Sequence, residues 1–453
     1  MKHLFFSLFM LMCLIQAQAQ EKSTTQNSFT LEQCLEYAYK NATTIRKAEL
    51  ETQNAESRVK DVRSIGLPQV NANVQFIDNY NLQTNFLPAR FFDPNAPADA
   101  PPVGVKFGTT YLGNATVQVS QILFNGSYIV GLQAANTYKQ LAAKSLEASK
   151  ITITENVTKA YLLLIVNKER MKLLDNNISR VDSFFSDTKK LQKQGFVEQL
   201  DIDRLEVSLN NIKSEKTKIE GIIRLSNELL KFQMGMPADN TLDVQGDITS
   251  YQITADNSEE KADFKNRIEY SLLETNNKLL LLDLKNKRWG YLPTLTAFWQ
   301  AGYNTGVNEF QQWGNFKNNW FSFGSFGFRL DVPIFNGFQK KYKIQQSKIE
   351  LLKLNEDKKS LELAINFQTN QAKITLANAQ ASLEIQKRNQ VLATEVLRIT
   401  KLKFKQGVGS NIEITNAEAA AKDAETNYYN ALYDALIAKV DLDKALGKLG
   451  KNK

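Results

Sequence analysis

The chain has 453 residues, 43% of them hydrophobic, with 56 Lys and Arg against 48 Asp and Glu, one His and two Cys. Its net charge of +8 is spread without a basic cluster or an RNA-binding motif, so nucleic acid is not an expected partner. The only histidine, His3, and one cysteine, Cys13, lie in the first 19 residues. Without that segment the chain has no route to a Ser-His-Asp triad, a Cys-His pair, a His metal ligand or an internal disulfide. No catalytic, cofactor-binding or metal site is expected.

The segment itself, MKHLFFSLFMLMCLIQAQAQ, joins Lys2 to an apolar run from Leu4 to Ile15 and ends in Ala17-Gln18-Ala19. This is the pattern of a cleaved secretory signal peptide, with an apolar run too short to span a bilayer. Residues 1–19 are assigned to it, which leaves 434 residues (453 − 19) and a charge of +7 once Lys2 is removed. Met12 stands before Cys13 where a lipoprotein signal carries a small residue, so lipidation is not expected. Later apolar runs peak at Leu162–Val166, and any membrane insertion would have to use strands.

Helical periodicity covers roughly 30–66, 134–192, 198–234, 263–290, 339–404 and 411–447, with no proline inside any of these ranges. Five of the nine prolines crowd into Pro88–Pro102, which must be a loop. Cys34 shares helical spacing with Leu31, Leu35 and Ala38 and reads as a core residue. Two helical patterns run near 60 residues, about 90 Å at 1.5 Å per residue.

Alternation marks the strands. Val70, Ala72, Val74 and Phe76 share one face, as do Ala115, Val117 and Val119. In the second half, Leu295, Ala297, Trp299, Ala301 and Tyr303 oppose Thr294, Thr296, Gln300 and Gly302; Trp320, Phe326, Phe328, Leu330, Val332 and Ile334 oppose Arg329 and Asp331. A soluble antiparallel sheet and a transmembrane barrel both fit this pattern. Strand length and four tryptophans gathered in or beside the second hairpin favour the barrel.

The punctuation repeats. Pro68 and Pro293 end helix-corner segments 225 positions apart, Phe124-Asn125-Gly126 and Phe335-Asn336-Gly337 recur 211 apart, and Lys-Gln-Gly breaks at Gly195 and Gly407 recur 212 apart. The chain therefore reads as a tandem duplication: residues 20–235, a linker at 236–262, and residues 263–453. Each copy runs helix, β-hairpin (about 68–125 and 293–335), long helix, tip (near 195 and 407) and returning helix. Ala417, Ala421, Ala424, Tyr428, Ala431, Ala435, Ala438, Leu442 and Ala445 form a 4-3-4-3 seam, beside a second stripe of Tyr429, Leu432, Leu436 and Val440. Two seams on one helix demand neighbours on both sides, in a ring of helices or an elongated bundle. Asn336 is placed to cap the helix after it, with Gly337 easing the turn.

Taken in order, FTLEQCLEYAYKNATTIRKAELETQNAESRVKDVRSIGLPQV, KNRIEYSLLETNN and VPIFNG resemble the helix starts and strand exit of the TolC family of outer-membrane efflux proteins, with Ile268 where the family has proline. The resemblance covers nearly the whole mature chain. It implies a mainly α fold with β: long antiparallel helical hairpins forming an α-barrel, and a 12-stranded transmembrane β-barrel shared by a homotrimer, four strands per protomer. The implied function is a passive conduit of a tripartite efflux or type I secretion system, in the outer membrane and extending into the periplasm. The implied partners are outer-membrane lipid, a periplasmic adaptor and an inner-membrane transporter.

By residue match, Gly195, Phe196, Val197, Gly407, Val408 and Gly409 would contact the adaptor at the periplasmic tip. Glu413 matches a pore-narrowing acid, with Asp201 at the equivalent place in the first copy, Asp203 nearby, and Asn416 where the family has a second acid. Trp299, Trp320, Phe124 and Phe335 are candidates for an aromatic girdle at the membrane interface. A periplasmic coiled-coil adaptor or scaffold is the rival reading, but adaptors carry one helical hairpin, whereas here two alternate with two strand pairs. A secreted hydrolase would need paired acids on converging strand ends, and no such pair is found.

Overall fold

The computed structural model describes residues 28–246, 248 and 263–450. The signal segment and most of the expected linker lie outside the described residues. In chain order the first copy holds β1 (Ser28–Phe29), α1 (Leu31–Asn41), α2 (Thr43–Ser64), β2 (Gln69–Asp78), β3 (Thr84–Leu87), β4 (Val103–Lys106), β5 (Tyr111–Phe124), α3 (Gly126–Lys193) and α4 (Gln199–Met234). After β6 (Asp243–Val244) follow α5 (Ile268–Trp289), β7 (Thr294–Val307), α6 (Phe310–Trp313), β8 (Phe321–Asp331), α7 (Gln339–Lys405) and α8 (Asn411–Ala445). The chain divides into two compact units: residues up to 49, 145–270 and 361 onward; and residues 50–144 and 271–360.

The second unit is built on an antiparallel sheet of order β2-β5-β7-β8. Residues paired across a ladder point to the same face, so the register fixes what each face carries. Val70, Val119, Trp299 and Phe326 form one cross-strand row, and Ala72, Val117, Ala301 and Gly324 the next. The opposite face carries the row Asn71, Gln118, Gln300 and Ser325, in which Gln300 donates to Ser325 Oγ at 3.0 Å. The alternation expected from the sequence is thus carried through four strands in register. Val70, Val74, Phe326, Phe328 and Leu330 all stand exposed on the apolar face. Water does not favour such a surface; a bilayer does.

Corners close the strands onto the long helices. Asn125 Oδ1 accepts from Tyr128 N at 2.8 Å, and α3 starts at Gly126, earlier than the periodicity predicts. The second corner differs from expectation. Asn336 makes no side-chain cap; its carbonyl accepts from Gln339 N at 3.3 Å, and α7 starts only at Gln339. Gly337 and Phe338 both take left-handed backbone (φ 62° and 64°), which carries the chain out of the strand before the helix can begin.

The first unit is helical. Cys34 and Ala38 of α1, Val157, Tyr161 and Leu164 of α3, Leu230 and Met234 of α4, and Leu432, Leu436 and Val440 of α8 share one core. Each such buried aliphatic side chain contributes about 1.5–3 kcal/mol. The alanine seam of α8 packs on α7: Ala438, Leu442 and Ala445 meet Ala372 and Leu376, while Ala417 and Ala421 meet Leu397. Small side chains at these positions let α7 and α8 approach closely. The two predicted stripes of α8 therefore serve two different neighbours.

The helices expected at 30–66 and 263–290 are each interrupted. Ala42 (φ −59°, ψ 123°) and Arg267 (φ −86°, ψ 127°) are extended, at equivalent positions 225 apart (267 − 42). Neither is followed by proline, so packing supports the kinks. Gly235, in left-handed backbone, lies so close to Asn41 that a Cβ would come within 2.6 Å of its carbonyl oxygen; Gly447 does the same to Asn266 at 2.5 Å. The two glycines are 212 apart (447 − 235). Arg267 is buried and donates to Ala445 O at 3.0 Å, to Gln368 Oε1 at 3.0 Å and to both oxygens of Glu269. It thereby satisfies a carbonyl at the end of α8 that no helical N–H reaches.

Candidate pore constriction and docking site

Both long helices end alike. Gly195 (φ 83°) donates to Gln192 O and Phe196 N to Leu191 O; Gly407 (φ 78°) donates to Phe404 O and Val408 N to Lys403 O, all at 2.9–3.0 Å. These paired bonds are the Schellman closure, which needs left-handed backbone at the glycine and turns the chain sharply. The residue after the glycine normally packs back on its helix. Here Phe196 and Val408 are instead 76% and 75% exposed. Both predicted tips thus present an apolar side chain outward, with Val197 and Gly409 half-buried behind them.

The returning helices place the candidate acids. Ser410 caps α8 by accepting from Glu413 N at 3.3 Å, which sets Glu413 in the first turn, exposed, where the helix dipole favours a carboxylate. Asn416 is exposed one turn on. Asp201 is half-buried in the first turn of α4, 3.6 Å from Arg204 Nη1, and the exposed Asp203 accepts from Gln199 Nε2 at 2.7 Å. Asn411 Nδ2 donates to the Asp201 carbonyl at 3.3 Å, bringing the two first turns side by side. Sequence reading missed Asn411. It is buried, and its Oδ1 has no hydrogen-bond partner.

Further along the helices lies a buried polar network, also missed. Glu418 of α8 pairs with Lys401 of α7 and, at 3.5 Å, with Arg180 Nε of α3. Arg180 also donates to Asn177 Oδ1, and Asn177 Nδ2 donates to Glu425 Oε2 at 2.9 Å. The seven-residue spacing of Glu418 and Glu425 is the one signal in the sequence, and it does not name the partners. Among the described residues, no group of three His, Cys, Asp or Glu is placed to hold a metal ion.

The candidate girdle residues divide. Trp299 is half exposed on the apolar face opposite Phe326, and Phe124 lies opposite Leu295 after a bulge at Leu123. Phe335 is exposed, its ring edge-on to Phe338. Trp320 is buried: its ring meets Trp313 and Phe316, and its Nε1 donates to Trp313 O at 2.9 Å. Residue 320 precedes β8, so strand alternation does not govern where it points.

A family model described as outer membrane efflux protein matches residues 34–235 and 284–448. Each match ends within one residue of a glycine closure, Gly235 or Gly447. Over 350 residues the chain is 22% identical to Outer membrane protein TolC of Vibrio cholerae serotype O1, covering 75% of this chain and 77% of that one. Among solved structures, CusC matches with a TM-score of 0.72 at 14% identity over 95% of both chains. VceC of Vibrio cholerae matches with a TM-score of 0.70 at 13% identity over 92% of this chain and 96% of that one. These likenesses give the fold, that of α-barrel and β-barrel channels. The family model matches well over half of the chain, which therefore belongs to the outer membrane efflux protein family, the outer-membrane channels of tripartite efflux systems.

Proposed function

We propose that three copies of this chain close one 12-stranded barrel and act as a passive conduit, without catalysis, for efflux or type I secretion. The observation that carries this is the two-faced sheet, whose outer strands β2 and β8 each have one partner strand and one open edge. An open edge within a bilayer leaves backbone N–H and C=O groups unsatisfied, and closure across copies removes both edges. Exposed apolar side chains on α7 (Leu363, Phe367, Ile374) and α4 (Leu225, Phe232) give the helices surface to bury between copies as well. Residues 20–235 and 263–453 are the two repeats in this reading, with 236–262 linking them. A periplasmic adaptor or scaffold would have no use for a sheet with one exposed apolar face.

The tips carrying Gly195, Phe196, Val197, Gly407, Val408 and Gly409 dock the periplasmic adaptor, and the inner-membrane transporter supplies the energy. Glu413, with Asp201 and Asp203 nearby and Asn416 one turn on, lines the constriction. Threefold repetition of Glu413 makes a negative ring that draws cations and weakens in high salt. In planar bilayers, Glu413→Ala and Asp201→Ala should raise conductance and lower cation preference. Unchanged conductance and selectivity would remove both acids from the constriction.

A further inference from the structure

The loop between β7 and β8 does not stand away from the sheet. A Cβ built on Gly113 would come within 2.6 Å of Trp313 Nε1, and within 2.8 Å of both the Trp320 ring and Thr305 Cγ2. Gly113 pairs with Phe76 and Thr305, in the register that puts Val74, Ala115 and Tyr303 on the apolar face. The loop therefore folds back over that face and lies on the glycine-made gap in it. Phe76 confirms the side: its ring centroid is 5.2 Å from Trp313 and 6.0 Å from Phe310. Trp313 and Phe310 stack in parallel planes, Phe316 stacks on Trp320 at 5.2 Å, and Phe310 and Phe316 remain exposed.

We infer that residues 308–320 form a membrane-interface anchor, whose partner is outer-leaflet lipid at the boundary between acyl chains and headgroups. The inference rests on the barrel reading, because it extends the lipid-facing surface of the strands without a break. An aromatic collar with polar residues beside it (Gln311, Gln312, Asn315, Lys317) has the chemistry that this boundary favours. The Trp320 indole N–H is already satisfied within the loop, so contact with lipid does not strand it. The loop fixes the height of the barrel in the bilayer, and strand aromatics such as Trp299 lie deeper.

The test uses the full-length protein in phosphatidylcholine vesicles carrying a spin label at the headgroup or at mid-chain. Variants keep one tryptophan, Trp313 or Trp299, with the others changed to Phe. Trp313 should lose most of its emission to the headgroup label and little to the mid-chain label, and Trp299 the reverse. If Trp299 is quenched by lipid while Trp313 answers only to aqueous iodide, the anchor is refuted and the barrel stands. If neither is quenched by lipid, both fail.

A second variant avoids altering the packed indoles. Phe316→Cys changes an exposed side chain, and the native Cys34 does not compete for label, being buried with its thiol pushed up to about 12, first by burial and then by Glu32. An environment-sensitive dye on the introduced thiol of that variant should shift to the blue in vesicles and be quenched by the headgroup label. Emission at the aqueous wavelength would overturn the anchor.

Discussion

The network around Glu418 makes an asymmetric prediction. The Glu418 side chain is 6% exposed, whereas its partners Lys401 and Arg180 are 24% and 33% exposed. Glu418→Gln leaves two cations that can turn to water, at a cost near that of an exposed pair, about 1 kcal/mol. Lys401→Met or Arg180→Met removes one charged hydrogen-bond partner and costs about 2 kcal/mol. The Arg180 change should be the larger, because Arg180 also holds Asn177 against Glu425. Both Met substitutions together strand a buried carboxylate and cost about 3–5 kcal/mol. Adding Glu418→Gln to that pair should then restore most of the loss. Guanidinium unfolding of detergent-solubilised protein, followed by helical ellipticity at fixed protein concentration, measures all of these. If Glu418→Gln costs as much as the double Met variant, or fails to rescue it, the cations are not there to neutralise a buried charge.

The glycine closures should separate by environment. Gly195→Ala meets no atom within 4 Å and costs only left-handed strain, about 1–2 kcal/mol, whereas Gly447→Ala adds overpacking against Asn266 of about 1–3 kcal/mol more, both read as shifts in unfolding midpoint. Asn411→Ala removes one 3.3 Å bond together with an unpartnered buried acceptor, so stability should change by less than about 1 kcal/mol while single-channel conductance rises. Glu155 sets an acid limb of stability. Burial opposes its ionisation, but hydrogen bonds from Lys444 and Lys159 outweigh this and hold its carboxyl below the usual range. Its contribution is full above the ordinary carboxylate value and is lost as pH falls through the lowered folded value. Lys159 runs the other way: burial lowers it, Asp441 and Glu155 raise it further, and its contribution is lost only as pH rises through the raised folded value. Glu155→Gln should lower the neutral plateau of a stability-against-pH curve and flatten its acid side, changing stability least at the lowest pH.

Local chemistry wrote much of this fold into the sequence. Gly195 and Gly407 mark turns because only glycine enters left-handed backbone freely, so the offset of 212 between them is also a structural offset, shared by Gly235 and Gly447. Strand alternation likewise survives into the register, since a slip of one residue would turn Val70, Trp299 and Phe326 to the polar face. What stayed hidden depends on neighbours distant in the chain. The kinks at Ala42 and Arg267 need glycines 193 and 180 residues later (235 − 42 and 447 − 267), and the orphaned Asn411 needs the carbonyl of Asp201. Trp320 lies one residue outside the strand whose alternation would place it, and Asn336 fails as a cap because Gly337 and Phe338 delay the helix.

The most direct test of the account is whether β8 of one copy lies beside β2 of the next. Variants carrying one cysteine in β2 and one in β8, scanned in pairs through the full-length protein with buried Cys34 as background, should at one register give covalent trimers in isolated outer membranes on oxidation. Failure to link copies at every register, or linkage only within one chain, would contradict the shared barrel and with it the conduit.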